Sequence, residues 1–162
     1  MPASTVLEHF NTAPSDEARR ALLACLHSRS WADRIAGHRP YPDLDALLAA
    51  SDEAAYDLAP EDLAEALTSE SLPRLPENTY AAAHTALSAA NAAYEARFGH
   101  VFVICLDGLA EGEALNHILA AIRSRLANDP EEERLVTREE LRRLARGRLA
   151  RTLRGAGLHS GT

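Results

Sequence analysis

The chain has 162 residues and a formal net charge of -7 at neutral pH. A chain of this length buries roughly 70% of its unfolded surface, so neither disulfides nor a structural metal are needed to hold its core. Only 5% of the residues are aromatic and alanine dominates the apolar share, which favours an all-α fold because alanine loses no side-chain entropy in a helix. The acidic charge argues against binding to nucleic acid or to an anionic membrane.

The residue types that are absent or sparse exclude several kinds of site. Lysine is absent, so a Schiff base or a phosphate-loop lysine is excluded. The seven histidines show no spacing of four residues that would pair them on a helix, so no metal site is predicted. Cys25 and Cys105 are too sparse for a disulfide scaffold. The N-terminus lacks the features of a signal peptide, and no apolar run is long enough to span a membrane, so we expect a cytoplasmic protein.

The first half of the chain predicts helices separated by short turns. The first helix is predicted over residues 15–27, with Ser15 as its N-cap and acidic residues in its first turn. A second apolar segment carries Trp31 and Ile35. It ends before Pro40, because residues that precede proline avoid the α region.

Two further helices precede the clearest loop. Asp43 opens a helix that runs to Tyr56, and Pro60 begins the next one at its first position, where proline is tolerated best. Residues 68–78 combine serines, prolines and an asparagine, which predicts a loop inside one compact domain.

The middle of the chain contains a long helix followed by an apolar run. Residues 79–98 have an apolar stripe at helical spacing, formed by Tyr80, Ala83, Leu87, Ala90 and Tyr94. Residues 101–106 form the best strand pattern in the sequence. A single strand without a partner cannot satisfy its backbone groups, so we predict a buried connecting segment between helices.

The last part of the chain predicts two more helices. One covers residues 111–127, and a capping box at Thr137 starts the final helix, which runs to about Leu153. The prediction is therefore a single-domain helical bundle over residues 1–154, followed by a flexible tail at 155–162.

Arg148 is the most suggestive residue by position. It lies seven residues after Leu141 and four after Leu144, so helical geometry places it within the apolar arc of the last helix. A buried guanidinium needs an anion, which is either a carboxylate of the chain or a bound substrate. The residues alone favour the carboxylate.

Other polar residues have simpler interpretations. His84 borders an apolar stripe with Asn91 seven residues further on, and we interpret both as polar residues at the edge of a core. The acidic residues at 61–62 and 131–133 are interpreted as solvated turns and helix starts.

Several stretches, taken together and in order, resemble the 2-oxo-4-hydroxy-4-carboxy-5-ureidoimidazoline (OHCU) decarboxylase family. The most specific is Asn-x-x-Tyr-x-x-Arg-Phe-Gly followed by an apolar run, which begins at Asn91. The others are Leu7-Glu8-His9-Phe10-Asn11, Cys25 with Trp31-Ala32, Arg39-Pro40-Tyr41, Ile118-Leu119, the stretch from Arg123 to Asp129, Glu140 and Arg148-Leu149.

The resemblance implies an all-helical lyase of urate degradation, without a cofactor, that decarboxylates OHCU to (S)-allantoin. In this family a histidine before a proline, and a glutamate in a Ser-x-x-Glu-Gln motif, manage the proton as carbon dioxide leaves. The apolar run gives backbone contacts to the substrate, and an arginine of the last helix meets its carboxylate or ureido end. Carried over, these roles assign substrate contacts to Pro60, Val101, Phe102, Val103, Ile104, Cys105 and Arg148.

The sequence departs from the family at its catalytic positions. Ala59 precedes Pro60 where the family has histidine, and the chain has no glutamine, so the Ser-x-x-Glu-Gln motif is incomplete. Glu70 is a candidate remnant of that motif. His84 and His100 are the nearest candidates for a replacement of the missing histidine.

Three functional hypotheses remain open. The first is an impaired decarboxylase of urate catabolism, because alanine cannot transfer a proton. The second is a binding or regulatory protein that recognises a small carboxylated ureido ligand. The third, an unrelated reaction in the same pocket, has no substrate that the sequence identifies. No cofactor or metal is expected under any of them, and the resemblance leaves a homodimer open.

Overall fold

The structure is a computed structural model that describes residues 3–76 and 79–154. Eight α-helices and one 3-10 turn at Glu111–Glu113 make up its regular structure, and the described residues contain no strand. The helices are α1 Ala3–Thr12, α2 Ser15–Cys25, α3 Arg29–Gly37, α4 Leu44–Tyr56, α5 Pro60–Leu67, α6 Ala81–Phe98, α7 Ala114–Leu126 and α8 Pro130–Leu153. The predicted all-α fold is confirmed. The predicted tail at 155–162 lies outside the described residues.

Two hydrophobic clusters form the core. The first core cluster lies between α1–α5 and the C-terminal half of α8, and it contains the fully buried Trp31. The Trp31 indole N–H donates to the carbonyl oxygen of Ser51 at 3.2 Å, so its one polar atom is satisfied. The second core cluster, which includes Leu87, Tyr94, Ile118 and Ile122, lies between α6 and α7.

The 101–106 segment runs between the two clusters without helical or strand structure, as predicted. Val103 packs into the first core cluster, while its neighbours Phe102 and Ile104 pack into the second. This placement explains why the segment has the sequence pattern of a strand. An extended chain points successive side chains to opposite sides, and here both sides are apolar.

The start of the last helix was predicted wrongly. It begins at Pro130 rather than at Thr137, and Asp129 is its N-cap. The Asp129 carboxylate accepts the N–H of Glu132 at 2.9 Å, and the Glu132 carboxylate accepts the N–H of Asp129 at 3.5 Å. This pair forms the true capping box. The second pattern of the same type, at Thr137, lies inside the helix, where the threonine is buried.

Several other boundaries also differ from the prediction. Helix α1 was not predicted from the sequence. The N-cap of α2 is Pro14 rather than Ser15, because the carbonyl oxygen of Pro14 accepts the first N–H hydrogen bonds of the helix. The helix predicted over 79–98 begins at Ala81. Tyr80 is 84% exposed and does not belong to the buried stripe of α6.

Across 3–76 and 79–154, no helix is long and apolar enough to cross a bilayer. The same residues contain no group of three or more histidine, cysteine, aspartate or glutamate side chains that could hold a metal ion.

Candidate functional site

Glu70 and Arg148 form a two-pronged ion pair. The Arg148 Nη1 and Nη2 atoms donate to the two carboxylate oxygens of Glu70 at 2.8 and 2.9 Å. The Glu70 side chain is only 6% exposed and that of Arg148 is 33% exposed. Parallel bonds between a guanidinium and a carboxylate fix the orientation of both groups as well as their distance. Of the two partners open to Arg148, the structure supplies a carboxylate of the chain.

The local chain path explains how this pair forms. Glu70 follows the end of α5, where its backbone N–H donates to the carbonyl oxygen of Leu67 at 3.2 Å. Arg148 projects from the last three turns of α8 and also donates to the carbonyl oxygen of Cys25 at 3.1 Å. Cys25 is the last residue of α2, so this carbonyl has no acceptor role inside its own helix. The hydrogen bonds that Arg148 donates to Glu70, together with the negative charge of Glu70, raise the pKa of Arg148.

The ion pair lines a cavity of about 330 Å³, which we call the Glu70 cavity. One wall comes from the 101–106 segment through Val103, Ile104 and Leu106, and another from the loop residues 71–74. Its volume lies at the lower end of the range for small-molecule sites. The cavity thus combines an apolar wall with the Glu70–Arg148 ion pair and two further charged side chains, Arg74 and Asp107.

A larger cavity of about 560 Å³, the Pro60 cavity, lies at the start of the same segment. Pro60, Val101 and His100 line it, with the C-terminal end of α6 and the N-terminal part of α8. The His100 Nδ1 atom lies 2.9 Å from the Val101 carbonyl oxygen, and the ring packs edge-on against Tyr94. The predicted site residues are therefore divided between two cavities.

The remaining predicted site residues line neither cavity. Phe102 is fully buried in the second core cluster. The backbone N–H of Cys105 donates to Glu140 Oε1 at 2.9 Å, and burial raises the pKa of the Cys105 thiol. Ala59 is the N-cap residue of α5, and its backbone N–H donates to Asp62 at 3.3 Å. His84 is exposed on α6, so it is not a residue at the edge of the core.

A buried polar network that was not predicted from the sequence joins α6, α7 and α8. Arg125 donates from Nε to the Glu133 carboxylate at 2.8 Å, and Tyr94 donates its hydroxyl proton to the same oxygen. Burial and the Glu133 hydrogen bond raise the pKa of Tyr94, so this hydroxyl stays protonated. The Thr137 hydroxyl also donates to Glu133, at 3.3 Å. Glu133, which we interpreted as solvated, is 1% exposed.

A signal for this network was present in the sequence. The buried positions of α8 recur at every fourth residue, at Glu133, Thr137, Leu141, Ala145, Leu149 and Leu153. The last four of these residues are apolar. The same spacing, continued toward the N-terminus, reaches Thr137 and then Glu133. The predicted helix start at Thr137 hid that continuity.

Comparisons with known proteins agree with the fold and the order of these elements. A family model described as OHCU decarboxylase matches residues 11–85 and 74–150. The crystal structure of an (S)-allantoin synthase superposes with a TM-score of 0.66 at 21% identity, over 93% of this chain and 53% of that one. A crystal structure of an OHCU decarboxylase in the presence of (S)-allantoin gives a TM-score of 0.69 at 21% identity, over 81% and 95%.

The comparisons differ in what they show about this chain. A search of curated proteins gives no match. The two crystal structures show the likeness of the fold, and this chain spans about half the length of the allantoin synthase chain. The family model matches most of the chain, from α1 to α8. The chain therefore belongs to the OHCU decarboxylase family.

Proposed function

We propose that this protein binds a small carboxylated ureido compound of the type handled by its family, and that it decarboxylates OHCU only slowly. It would then be an impaired member of the urate-degrading lyases. The observation that carries the proposal is the Glu70–Arg148 pair at the wall of a small cavity. The family resemblance assigns a substrate contact to Arg148 and offers Glu70 as a candidate remnant of the Ser-x-x-Glu-Gln motif.

The pair is chemically complementary to such a ligand. A ureido group presents two N–H donors side by side, and a carboxylate such as that of Glu70 accepts a parallel pair of hydrogen bonds. The ligand's own carboxylate can accept hydrogen bonds from Arg148. A guanidinium has five N–H groups, and Arg148 uses only some of them on Glu70 and on the carbonyl oxygen of Cys25.

The impairment is inferred from the proton that decarboxylation requires. When the carbon–carbon bond breaks and carbon dioxide leaves, the electron pair stays on the substrate carbon, which must then take up a proton. Among the described residues that line the Glu70 cavity there is no histidine. Ala59 has no group that can carry a proton, while His84 and His100 lie elsewhere.

A second candidate function follows from the same observation. With Glu70 paired to Arg148 and no histidine in the described lining, the cavity can hold a ligand without converting it. The protein would then be a binding or regulatory member of the family.

An activity assay separates these two candidates. OHCU is generated fresh in the cuvette, and the formation of (S)-allantoin is followed by circular dichroism, because spontaneous decay gives no enantiomeric excess. We expect the wild-type protein to give slow enantioselective formation above the buffer rate. A rate and enantiomeric excess equal to buffer would instead favour the binding protein and reject the impaired enzyme.

We expect Arg148→Ala to abolish ligand-induced stabilisation. A ligand that binds the native state raises the unfolding temperature, so (S)-allantoin or N-carbamoylglycine at millimolar concentration should raise the Tm of the wild-type protein by a measurable amount. Arg148→Ala should show no rise with N-carbamoylglycine in a thermal-shift assay, because the guanidinium that meets its carboxylate is gone.

Arg146→Ala is the matched control for that experiment. Arg146 lies on the same helix but pairs with Asp52 at 2.6 Å, and it does not line the Glu70 cavity. Its ligand-dependent shift should equal that of the wild type. An equal shift in the Arg148→Ala protein, or none in the wild type with either compound, would overturn the proposed binding site.

A further inference from the structure

The backbone of the 101–106 segment is held by side chains in place of a neighbouring strand. An extended segment that is buried on both sides must find partners for its N–H and C=O groups, because each buried unpaired group costs free energy. Strands normally obtain these partners from an adjacent strand, and the described part of the chain has none.

Three side chains, one from each of three helices, supply the partners. Asn91 on α6 accepts the N–H of Phe102 at 3.3 Å. Arg125 on α7 donates to the carbonyl oxygen of Val103 at 2.6 Å, and Glu140 on α8 accepts the N–H of Cys105 at 2.9 Å. We call Asn91, Arg125 and Glu140 the segment clamp.

The clamp residues are themselves fixed in place. Arg125 is bound to the buried Glu133, and its guanidinium lies 4.3 Å from the centre of the Phe102 ring. The Glu140 side chain is 12% exposed and lies 3.6 Å from Arg143. Side chains that are locked by their own contacts hold a site more precisely than free ones.

The clamped part of the segment forms a wall of the Glu70 cavity. Val103 and Ile104 lie between the clamped N–H groups of Phe102 and Cys105, and both line that cavity. The clamp therefore fixes the backbone of this wall before and after the two lining residues.

We propose that Asn91, Arg125 and Glu140 are positioning residues that hold the backbone of residues 102–105 in one conformation as a preformed wall of the Glu70 cavity. The ligand part of this inference rests on the proposed function. A wall that is already in place costs no ordering when a ligand binds, so it strengthens binding more than a mobile wall does.

The test compares Asn91→Ala with Asn91→Asp. The aspartate keeps an oxygen acceptor of the same size and the alanine removes it, so aspartate is the conservative rescue. Glu140→Ala and Glu140→Gln form a second pair with the same logic. Backbone amide hydrogen exchange of residues 102–105 is measured by NMR, and the Kd of N-carbamoylglycine is measured by calorimetry. The amide of Leu22, in the first core cluster, serves as the internal standard for global stability.

We expect the alanine variants to speed exchange at residues 102–105 by about 10-fold, without a matching change at Leu22, and to weaken binding by about 3- to 10-fold. The Asp and Gln variants should stay close to the wild type in both measurements. Unchanged exchange in the alanine variants would overturn the clamp. Faster exchange with an unchanged Kd would overturn its role in binding. If the wild type does not bind the compound, the proposed function fails, and the exchange comparison alone decides whether these side chains hold the segment.

Discussion

Replacing Glu133 with alanine is expected to lower the free energy of unfolding by about 3–5 kcal/mol, since it leaves a buried guanidinium without its carboxylate. The Arg125 Nη2 atom lies 2.6 Å from the Glu133 carboxylate, and the two side chains are 8% and 1% exposed. Tyr94 and Thr137 lose their shared acceptor in the same variant. The cost is measured by equilibrium unfolding in urea, followed by circular dichroism.

The neighbouring surface pair is the control for this prediction. Arg134 and Glu131 lie on the same helix, 3.2 Å apart, with side chains that are 46% and 85% exposed. Solvent screens such a pair, so Arg134→Ala should cost less than about 1 kcal/mol. Glu133→Gln, which keeps an acceptor but removes the charge, should fall between the two. A cost for Glu133→Ala as small as that for Arg134→Ala would show that burial of the pair is not what makes it important.

Replacing Ala59 with histidine is expected to raise the rate of enantioselective decarboxylation by about 10²- to 10⁴-fold, which is the usual contribution of a general acid–base group. Ala59 caps α5 directly before Pro60, as the histidine of the family does by resemblance. Pro60 lines the Pro60 cavity, and Glu70 lines the Glu70 cavity. The rate is measured with freshly generated OHCU by the circular dichroism assay.

Ala59→Asn separates proton transfer from helix capping. Asparagine is a better N-cap than alanine and should stabilise α5 by about 1 kcal/mol, but it cannot act as an acid or base at neutral pH. We therefore expect a higher Tm without faster turnover. Equal acceleration by asparagine and histidine would trace the gain to the helix start, and no acceleration by histidine would show that this substitution alone does not explain the impairment.

The fold could be predicted largely because its elements have local causes. Asp43 and Pro60 mark helix starts through capping and a fixed φ angle, and both helices begin where the sequence predicts. The start of α8 could not be chosen by the same rule, since two capping patterns occur eight residues apart. Burial decides between them, and burial is a property of the packed molecule. Glu133 shows this most clearly, because its partner Arg125 comes from another helix.

The site was predictable in part. The sequence singled out Arg148 by its place on an apolar arc, and the family resemblance offered Glu70 as a remnant of a motif. Glu70 and Arg148 meet because of the path of the loop after α5. The spacing of apolar residues in the sequence does not predict that path. The division of the other site residues between two cavities was equally hidden, because Val101 and Val103 are only two positions apart and both pack in the first core cluster, yet they line different cavities.

The alternating packing of the 101–106 segment has a consequence for how the molecule comes apart. Val103 is sealed into one cluster, and Phe102 and Ile104 are sealed into the other. If one cluster unfolds, the segment moves with it and pulls the neighbouring residues of the segment out of the other cluster. Because the 101–106 segment packs into both clusters, we expect the two clusters to unfold together as one cooperative unit.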